Sequence, residues 1–231
     1  WAPRLPHMTL VRRPRTHLLS QYNHCTSKPG RPTKFKEHMP PTFEAWLQNW
    51  TDLQSIGKAS GDYTPWKHRF SKDMISVIST NIPFKCYSPI NPQSHFLTCE
   101  QPFKFPAKEN TDLAIQNMHQ LWFVGILEAY EESICLMHLK LFGRVPGDCD
   151  CREKNQATGT RLSVHHFSHG VLPHSAADLS HREVQLIEGL TSGDEKLYKA
   201  AVERFVIEVQ KAESEHGVKI LCDETLQRLQ H

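Results

Sequence analysis

The chain has 231 residues, with 27 lysines and arginines against 25 aspartates and glutamates, and 15 histidines in addition. This length suffices for one sizeable domain with a full hydrophobic core, and the near balance of charge argues against a dedicated nucleic-acid-binding protein. No run of about 18 apolar residues occurs, so no segment of this sequence is predicted to span a membrane.

The first predicted element is a short strand over residues 7–13, which ends in two arginines. A helix over 14–24 follows, because proline suits the first helical position, where a backbone N–H has no acceptor within the helix. The 3.6-residue period predicts that this helix turns three side chains inward. These are Leu18, Leu19 and Tyr22.

A stretch rich in proline and lysine over 26–41 predicts an exposed loop, and Thr42 is then predicted to cap a helix over 43–56. The apolar residues of that helix, at helical spacing, are Phe43, Trp46, Leu47, Trp50 and Leu53. Residues 57–110 are predicted to be irregular, with short strands or helical turns at 73–79.

In the second half of the chain, Thr111 is predicted to cap a helix that ends near residue 120. The apolar run over 121–128 has the character of a strand. A helix over 130–142 follows, and Gly143 stands where a glycine ends a helix in the left-handed conformation.

A long loop rich in histidine is predicted over 144–177, followed by two final helices over 180–190 and 194–216, with Gly217 as the stop. The core face of the last helix is predicted to be Leu197, Ala201, Phe205, Val209 and Ala212. Strands alternating with helices favour the α/β class. The strands are too few for a complete doubly wound sheet, as expected if an early piece of the fold lay outside this sequence.

Seven cysteines stand at positions 25, 86, 99, 135, 149, 151 and 222. No CxxC pair occurs among them, which disfavours a zinc ribbon. We therefore predict that most are disulfide partners in an oxidising compartment; the alternative is scattered buried thiols that behave as small hydrophobic residues. The odd number leaves at least one cysteine unpaired, or paired with another segment.

The junction between the first strand and the first helix has the features of an anion site. The first N–H groups of a helix have no backbone acceptor, and the helix dipole is positive there. Arg12, Arg13 and Arg15 add planar donors that fit phosphate oxygens. Ser20 lies one turn beyond Thr16, so the two hydroxyls share a face. We predict that Arg12 and Ser20 hold a phosphate; the alternative is a solvated surface cluster of arginines.

Five segments resemble the PAPS-dependent carbohydrate sulfotransferases, in the order in which that family has them. "LVRRPRTHLLSQY" is similar to the family's 3′-phosphate-binding element, and "TFEAWL" to the segment that follows it in the Golgi enzymes. "NPQSHFLTC" and "LWFVGILEAYEESICLM" are similar to segments of the heparan sulfate 2-O/6-O branch. "TSGDEKLYKAAVERF" is similar to a late helix of the family.

This resemblance implies a P-loop-NTPase-like α/β fold, with residues 1–231 as a single sulfotransferase domain that is incomplete at its N-terminus. It implies transfer of a sulfuryl group from PAPS, without a metal, to a hydroxyl of a carbohydrate acceptor. Arg12 and Ser20 would grip the 3′-phosphate of the nucleotide, and Arg13 replaces an acid common at its position.

The resemblance also places important parts before Trp1. The family's 5′-phosphosulfate loop and its catalytic His or Glu precede the 3′ element, so the catalytic residues are unknown here and the chain alone is expected to have little or no transfer activity. It implies a Golgi, secretory-pathway, type II membrane protein anchored by a segment outside this sequence, with a glycan and no nucleic acid as its partner.

Other side chains are candidates for the same site. A loop that closes over the nucleotide or faces the acceptor is implied near Arg161, His165 and His166, and these could contact phosphate or sulfated sugar. Gln93 could orient the substrate, or its amide could satisfy loop backbone. Glu128 could hydrogen-bond loop backbone near the nucleotide, or cap the following helix from its first turn.

Three alternatives stay open. A metal site could use His165, His166, His169 and His174, but their spacing fits no regular ligand pattern, and we expect no metal. The chain could be a non-catalytic nucleotide- or glycan-binding remnant of the fold. It could also be a P-loop kinase or related enzyme, which should prefer ATP and Mg²⁺.

Overall fold

The structure is a computed structural model that describes residues 7–27, 39–60, 88–98, 110–153 and 175–230. Its strands are β1 (Met8–Val11) and β2 (Phe123–Ile126). Its helices are α1 (Pro14–Ser27), α2 (Phe43–Ser60), α3 (Pro92–Thr98), α4 (Thr111–Gln120), α5 (Tyr130–Phe142), α6 (His181–Leu190), α7 (Ser192–His216) and α8 (Asp223–Gln230).

The chain divides into two compact units. The described residues of the first fall within Trp1–Arg13, Ile115–Phe167 and Leu197–His231. Those of the second fall within Pro14–Ala114 and Ser168–Lys196. Each unit is therefore built from segments that are far apart in the sequence.

In the first unit, β1 and β2 form a two-stranded parallel sheet with Met8 opposite Phe123 and Val11 opposite Ile126. β2 is buried along its whole length. The predicted strand over 121–128 is thus shorter in the structure. At its end, Ser133 of α5 accepts a hydrogen bond from the Ile126 N–H at 2.9 Å and donates one to the Ile126 carbonyl at 3.0 Å. A side chain therefore satisfies the last residue of the strand.

Gly125 lies at the tightest point of this sheet, and we expect Gly125→Ala to destabilise the protein. A Cβ added there would stand 2.5 Å from the Leu10 side chain and 2.9 Å from the Ser133 Cβ. The leucine can move because it is partly exposed, but the serine is fixed by its two bonds to Ile126. Overpacking of this kind costs about 1–3 kcal/mol, measurable as a lower midpoint of urea unfolding.

The matched control is Gly189→Ala, at a helical position of α6. No atom lies within 4 Å of a Cβ added at Gly189. Alanine has the higher helix propensity, so this variant should be neutral or more stable by up to about 1 kcal/mol. Equal midpoints for the two variants would contradict the steric argument at Gly125.

Two disulfide bridges hold the C-terminal part of the first unit. Cys135 of α5 is bonded to Cys149, and Cys151 is bonded to Cys222, which immediately precedes α8. Cys25 in the second unit is disulfide-bonded as well. The prediction of disulfide partners is confirmed for these cysteines. If a disulfide acts by lowering the entropy of the unfolded chain, the Cys135–Cys149 bridge, with a sequence separation of 14, stabilises the protein by about 3 kcal/mol.

Asp150 lies between the two bridged cysteines and holds a salt bridge. Hydrogen bonds from the Arg152 guanidinium, which outweigh the effect of burial, lower the pKa of Asp150 to about 2. Arg152 also donates to the Gly217 carbonyl at 2.6 Å, just beyond α7. The loop between the bridges is therefore tied to the end of that helix.

In the second unit, α1, α2 and α6 surround one hydrophobic core. Its buried residues are Leu18, Tyr22, Phe43, Trp46, Leu47, Trp50, Ile90, Leu186, Ile187 and Leu190, with Leu19 packed at its edge. The predicted inward faces of the first two helices are confirmed for the side chains described. The Ala45 N–H donates to the Thr42 hydroxyl at 3.1 Å, so the predicted cap is confirmed, although the helix continues to Ser60.

Several helix ends agree with the sequence. Gly143 is left-handed with φ of 68°, and its N–H donates to the Leu139 carbonyl at 2.7 Å. Gly217 is also left-handed, with φ of 66°. Ser180 and Glu183 form a reciprocal capping box at the start of α6.

The predicted cap of α4 is wrong, and two helices were missed. The cap of α4 is Asn110 rather than Thr111, because the Asn110 side chain accepts from the Leu113 N–H at 3.0 Å. Residues 57–110 contain helix α3, and a further helix, α8, follows the two that were expected to end the chain. Both missed helices are short and are stabilised by contacts far along the sequence. The turns expected at 73–79 lie outside the described residues.

Candidate anion-binding site

The carboxyl ends of β1 and β2 meet at one edge of the sheet because the strands are parallel. Arg12 and Arg13 follow β1, and Glu128 lies in the 3-10 turn Leu127–Ala129 that follows β2. Side chains beyond the carboxyl ends of parallel strands are where α/β folds bind ligands. The sheet thus brings two of the three candidate arginines to a glutamate 115 residues away.

The Glu128 side chain is hydrogen-bonded to the backbone just beyond β1. Its Oε1 accepts the Arg13 N–H at 3.0 Å. Neither the turn Leu127–Ala129 nor helix α5 has a side-chain cap at its start. The interpretation of Glu128 as a residue that hydrogen-bonds backbone is therefore confirmed.

Arg12 is partly buried beside this carboxylate. Burial lowers the pKa of its guanidinium, and the negative charge of Glu128 opposes that shift. An arginine pKa lies so far above neutrality that the group stays charged after such a shift. The end of β1 therefore keeps a cation in a partly desolvated setting, where its attraction to an anion is less screened than in water.

Arg13 has a different role from Arg12. Its guanidinium donates to the Arg228 carbonyl at 2.7 Å, near the C-terminal end of α8, and lies 5.7 Å from the centre of the Tyr198 ring. A cation at the end of a helix stabilises the unsatisfied carbonyls there. The Arg13 side chain thus binds helix α8.

Tyr198 of α7 completes the cluster, and the sequence analysis missed it. It is 4% exposed. Burial raises its pKa, and so does the negative charge of Glu128, against the opposing effect of Arg13. Its position could have been found from the helical period, since Tyr198, Ala201 and Phe205 stand at i, i+3 and i+7.

Ser20 and Arg15 belong to the second unit, on α1. Ser20 is partly buried. Arg15 forms a salt bridge of 2.6 Å to Glu188 of α6, with about half of each side chain exposed. A pair this exposed contributes little stability. Arg15 is thus engaged within its own unit.

Gln93, the candidate for orienting substrate, lies on α3 in the second unit. Its N–H donates to Asp194 at 3.0 Å, and its side-chain amide is also hydrogen-bonded to that carboxylate. Asp194 is fully buried. These contacts give Gln93 a structural partner in place of the loop backbone that was the alternative.

The remaining candidates lie outside the described residues. They are Arg161, His165, His166, His169 and His174. Within the described ranges, no group of three His, Cys, Asp or Glu side chains could hold a metal ion. Across those same ranges, no helix is long and apolar enough to cross a membrane.

No family model, curated protein or solved structure matches the chain. The likeness to carbohydrate sulfotransferases therefore stays a hypothesis.

Proposed function

We propose that the chain carries the 3′-phosphate-binding part of a PAPS-dependent carbohydrate sulfotransferase, on a P-loop-like α/β fold. The observation that supports this most is the partly buried Arg12 at the carboxyl end of a parallel strand, with the peptide group that follows it anchored by Glu128. This is the position at which the sequence resemblance puts the cation of the nucleotide clamp.

The charge of the cluster suits a phosphate. Arg12 and Arg13 are positive and Glu128 is negative, so the three side chains together keep a net positive charge. Because Arg13 is bonded to the end of α8, Arg12 is the cation expected to reach the ligand. One charge-assisted bond of this kind contributes about 1.5–3 kcal/mol.

In such an enzyme these residues bind and orient the donor nucleotide. Transfer of a sulfuryl group needs the donor and the acceptor hydroxyl in line, with cations placed where negative charge develops. A grip on the 3′-phosphate fixes the nucleotide at the end remote from the reacting sulfur. The acceptor in this proposal is a carbohydrate hydroxyl, and the protein works in the Golgi lumen, where the disulfides described above are stable.

The test is calorimetric titration of the chain with 3′-phosphoadenosine 5′-phosphate and with adenosine 5′-phosphate, which lacks the 3′-phosphate. We expect the first to bind about 10–100-fold more tightly, the ratio that one such bond provides. Arg12→Ala should abolish this preference. Arg144→Ala, at an exposed arginine beyond α5, is the matched control and should leave the preference unchanged.

Four outcomes would count against the proposal. Equal affinity for the two nucleotides would overturn it, and so would a preference that survives Arg12→Ala. Tighter binding of ATP with Mg²⁺ than of either adenosine phosphate would favour a kinase-like enzyme. A preference for the 3′-phosphate in a protein that never transfers sulfate, even with an N-terminal extension supplied, would favour the non-catalytic remnant.

A further inference from the structure

A cavity of about 280 Å³ lies between α2 and α6, within the second unit. Its walls are formed by Thr51, Gln54 and Ser55 from α2, and by Arg182, Gln185 and Gly189 from α6. The buried side chains of Leu186 and Leu190 add apolar surface. Sites for small molecules have volumes of about 300–1,000 Å³, so this α2–α6 cavity suits one small unit of a ligand.

The walls of the cavity offer both hydrogen-bond donors and acceptors. Across the part of the chain that the structure describes, the Gln54 and Gln185 amides have no hydrogen-bonding partner. Each amide can donate through its NH₂ group and accept through its oxygen. The Thr51 and Ser55 hydroxyls donate to the Leu47 and Thr51 carbonyls at 3.0 Å and 2.9 Å, which leaves their own oxygens able to accept. Sugar hydroxyls, which donate and accept as well, match such walls.

Arg182 brings a positive charge to the cavity. Its guanidinium donates to the Gln48 side-chain oxygen at 2.7 Å, and the Gln48 amide donates to the Asp52 carboxylate at 2.8 Å. This chain of bonds orients the guanidinium and leaves its remaining N–H groups for a ligand. Among the lining residues that the structure describes, Arg182 alone carries a charge. The cavity therefore suits a ligand with one anionic group, and a carboxylate fits the planar donors of arginine.

A second cavity, of about 640 Å³, lies along the same two helices and includes Thr42 and Ser180 at their starts. It is lined by two acids, Glu44 and Glu183. Because like charges repel, these acids disfavour a ligand that carries several negative groups along the two helices. The charges therefore favour a singly charged ligand over a densely sulfated or phosphorylated one.

We propose that the α2–α6 cavity binds a sugar acid, a pyranose ring that carries one carboxylate. The carboxylate pairs with Arg182, and the ring hydroxyls exchange hydrogen bonds with the Gln54 and Gln185 amides. This site goes beyond the proposed function, because it uses none of the residues placed at the anion site and needs no nucleotide.

The experiment is an NMR titration of the whole chain with the methyl glycoside of glucuronic acid and with methyl glucoside. The two sugars differ only in that the second has an uncharged CH₂OH group in place of the carboxylate. We expect the glucuronide to bind about 3–10-fold more tightly, the ratio that one partly exposed charge-assisted contact provides. Arg182→Gln should bring this ratio to about one, because the carboxylate loses its cation. Arg144→Gln, at an exposed arginine outside the cavity, is the matched control and should keep the ratio.

A second variant tests the location of the site. No atom lies within 4 Å of a Cβ added at Gly189, so a leucine there can be accommodated and its side chain enters the cavity. We expect Gly189→Leu to weaken the binding of both sugars by at least about 10-fold, since a filled cavity loses most of its contacts with a ligand. Gly189→Ala, whose side chain is one methyl group, should bind both sugars as the wild type does.

Four results would overturn the inference. These are binding of neither sugar, equal Kd values for the two sugars in the wild type, a ratio that survives Arg182→Gln, and unchanged binding in a folded Gly189→Leu. If Gly189→Leu does not fold, as judged by circular dichroism, Arg182→Gln decides, because its residue is exposed and the variant is expected to fold. The titrations contain no nucleotide, so their outcome is independent of the test at Arg12.

Discussion

Replacing Asp194 by alanine is expected to lower the free energy of unfolding by about 3 kcal/mol, one of the two largest effects we expect from a single substitution. The carboxylate is fully buried and, besides the Gln93 side-chain amide, three backbone and hydroxyl donors in the first turn of α3 bind it. These are the Gln93 N–H at 3.0 Å, the Ser94 N–H at 2.7 Å and the Ser94 hydroxyl at 2.8 Å. Alanine would leave the two Ser94 donors buried, and the Gln93 N–H partly buried, without this acceptor.

The contact between the starts of α3 and α7 is reciprocal, which raises its expected contribution to the free energy of unfolding. The Asn91 side chain, just before α3, accepts from the Gly193 N–H at 2.8 Å and the Asp194 N–H at 2.9 Å in the first turn of α7. Asn91 has φ of 41°, a left-handed conformation that asparagine tolerates better than most residues. Each helix start therefore caps the other, and loss of Asp194 removes half of the arrangement.

The measurement is thermal unfolding followed by circular dichroism. For a chain of this length, a loss of about 3 kcal/mol lowers the Tm by about 6–12 °C. Asp194→Asn should lower the Tm by less than Asp194→Ala does. Its amide oxygen can still accept a hydrogen bond, but its NH₂ group faces a donor. Asp112→Ala, at an exposed acid in the first turn of α4, is the control and should cost less than about 1 kcal/mol. Equal shifts for Asp194→Ala and the control would contradict the capping argument.

The sequence predicted those elements whose limits are set by neighbouring residues. Helix α5 has the predicted bounds, Tyr130–Phe142, because Gly143 ends it through a conformation that glycine adopts easily. The same holds for Thr42 before α2 and Ser180 before α6, where the capping side chain and its N–H partner are three residues apart. Periodicity placed the core faces for the same reason: it depends on spacing within one element.

The sequence could not predict what depends on distant partners. Helix α3 begins where Asp194, about 100 residues later, accepts its first N–H groups, and no local pattern reports that bond. Likewise, the backbone group that Glu128 binds is the N–H of Arg13, 115 residues away, and the sequence does not report that partner. The pairing of Cys135 with Cys149 and of Cys151 with Cys222 was also open until the fold brought the thiols together.

The candidate site follows the same division. Arg12 and Arg13 could be selected from their place between a strand and a helix, and Glu128 from its place after an apolar run. Their meeting requires the parallel register of β1 and β2, which neither segment encodes alone. The sequence analysis missed Tyr198 because it assigned the neighbouring Leu197 to the core face of α7. A tyrosine at this spacing is also expected to be a core residue rather than part of a binding site.

Replacing Arg204 of α7 by methionine should cost about 3 kcal/mol, an effect comparable to that at Asp194. Its side chain is 11% exposed. The guanidinium donates to the Met118 carbonyl in α4 and, at 2.7 Å, to the Leu121 carbonyl just before β2. It also bonds the Glu208 carboxylate at 2.7 Å. Methionine fills a similar volume but leaves two carbonyls at the end of α4 without this donor.

The position matters for the site because these carbonyls precede β2, the strand that leads into the turn with Glu128. We expect Arg204→Lys to lose part of the stability, since a single ammonium cannot reproduce the planar fork that serves both carbonyls and the acid. Lys211→Met on the same helix is the matched control. That lysine is 75% exposed and 3.8 Å from Glu215, a pair that should contribute less than about 0.5 kcal/mol.

The pH dependence gives a second readout of the same interaction. Burial raises the pKa of Glu208, but hydrogen bonds from Lys140 and Arg204 outweigh it and leave the pKa below its ordinary value of 4.5. The stability linked to this lowered pKa is fully present above pH 4.5 and is lost as the pH falls below it. In Arg204→Met the pKa should rise, so stability should fall less steeply with acid than in the wild type. Parallel curves for the two proteins would show that Arg204 does not hold Glu208, while an unchanged Tm at neutral pH would refute its role at the end of α4.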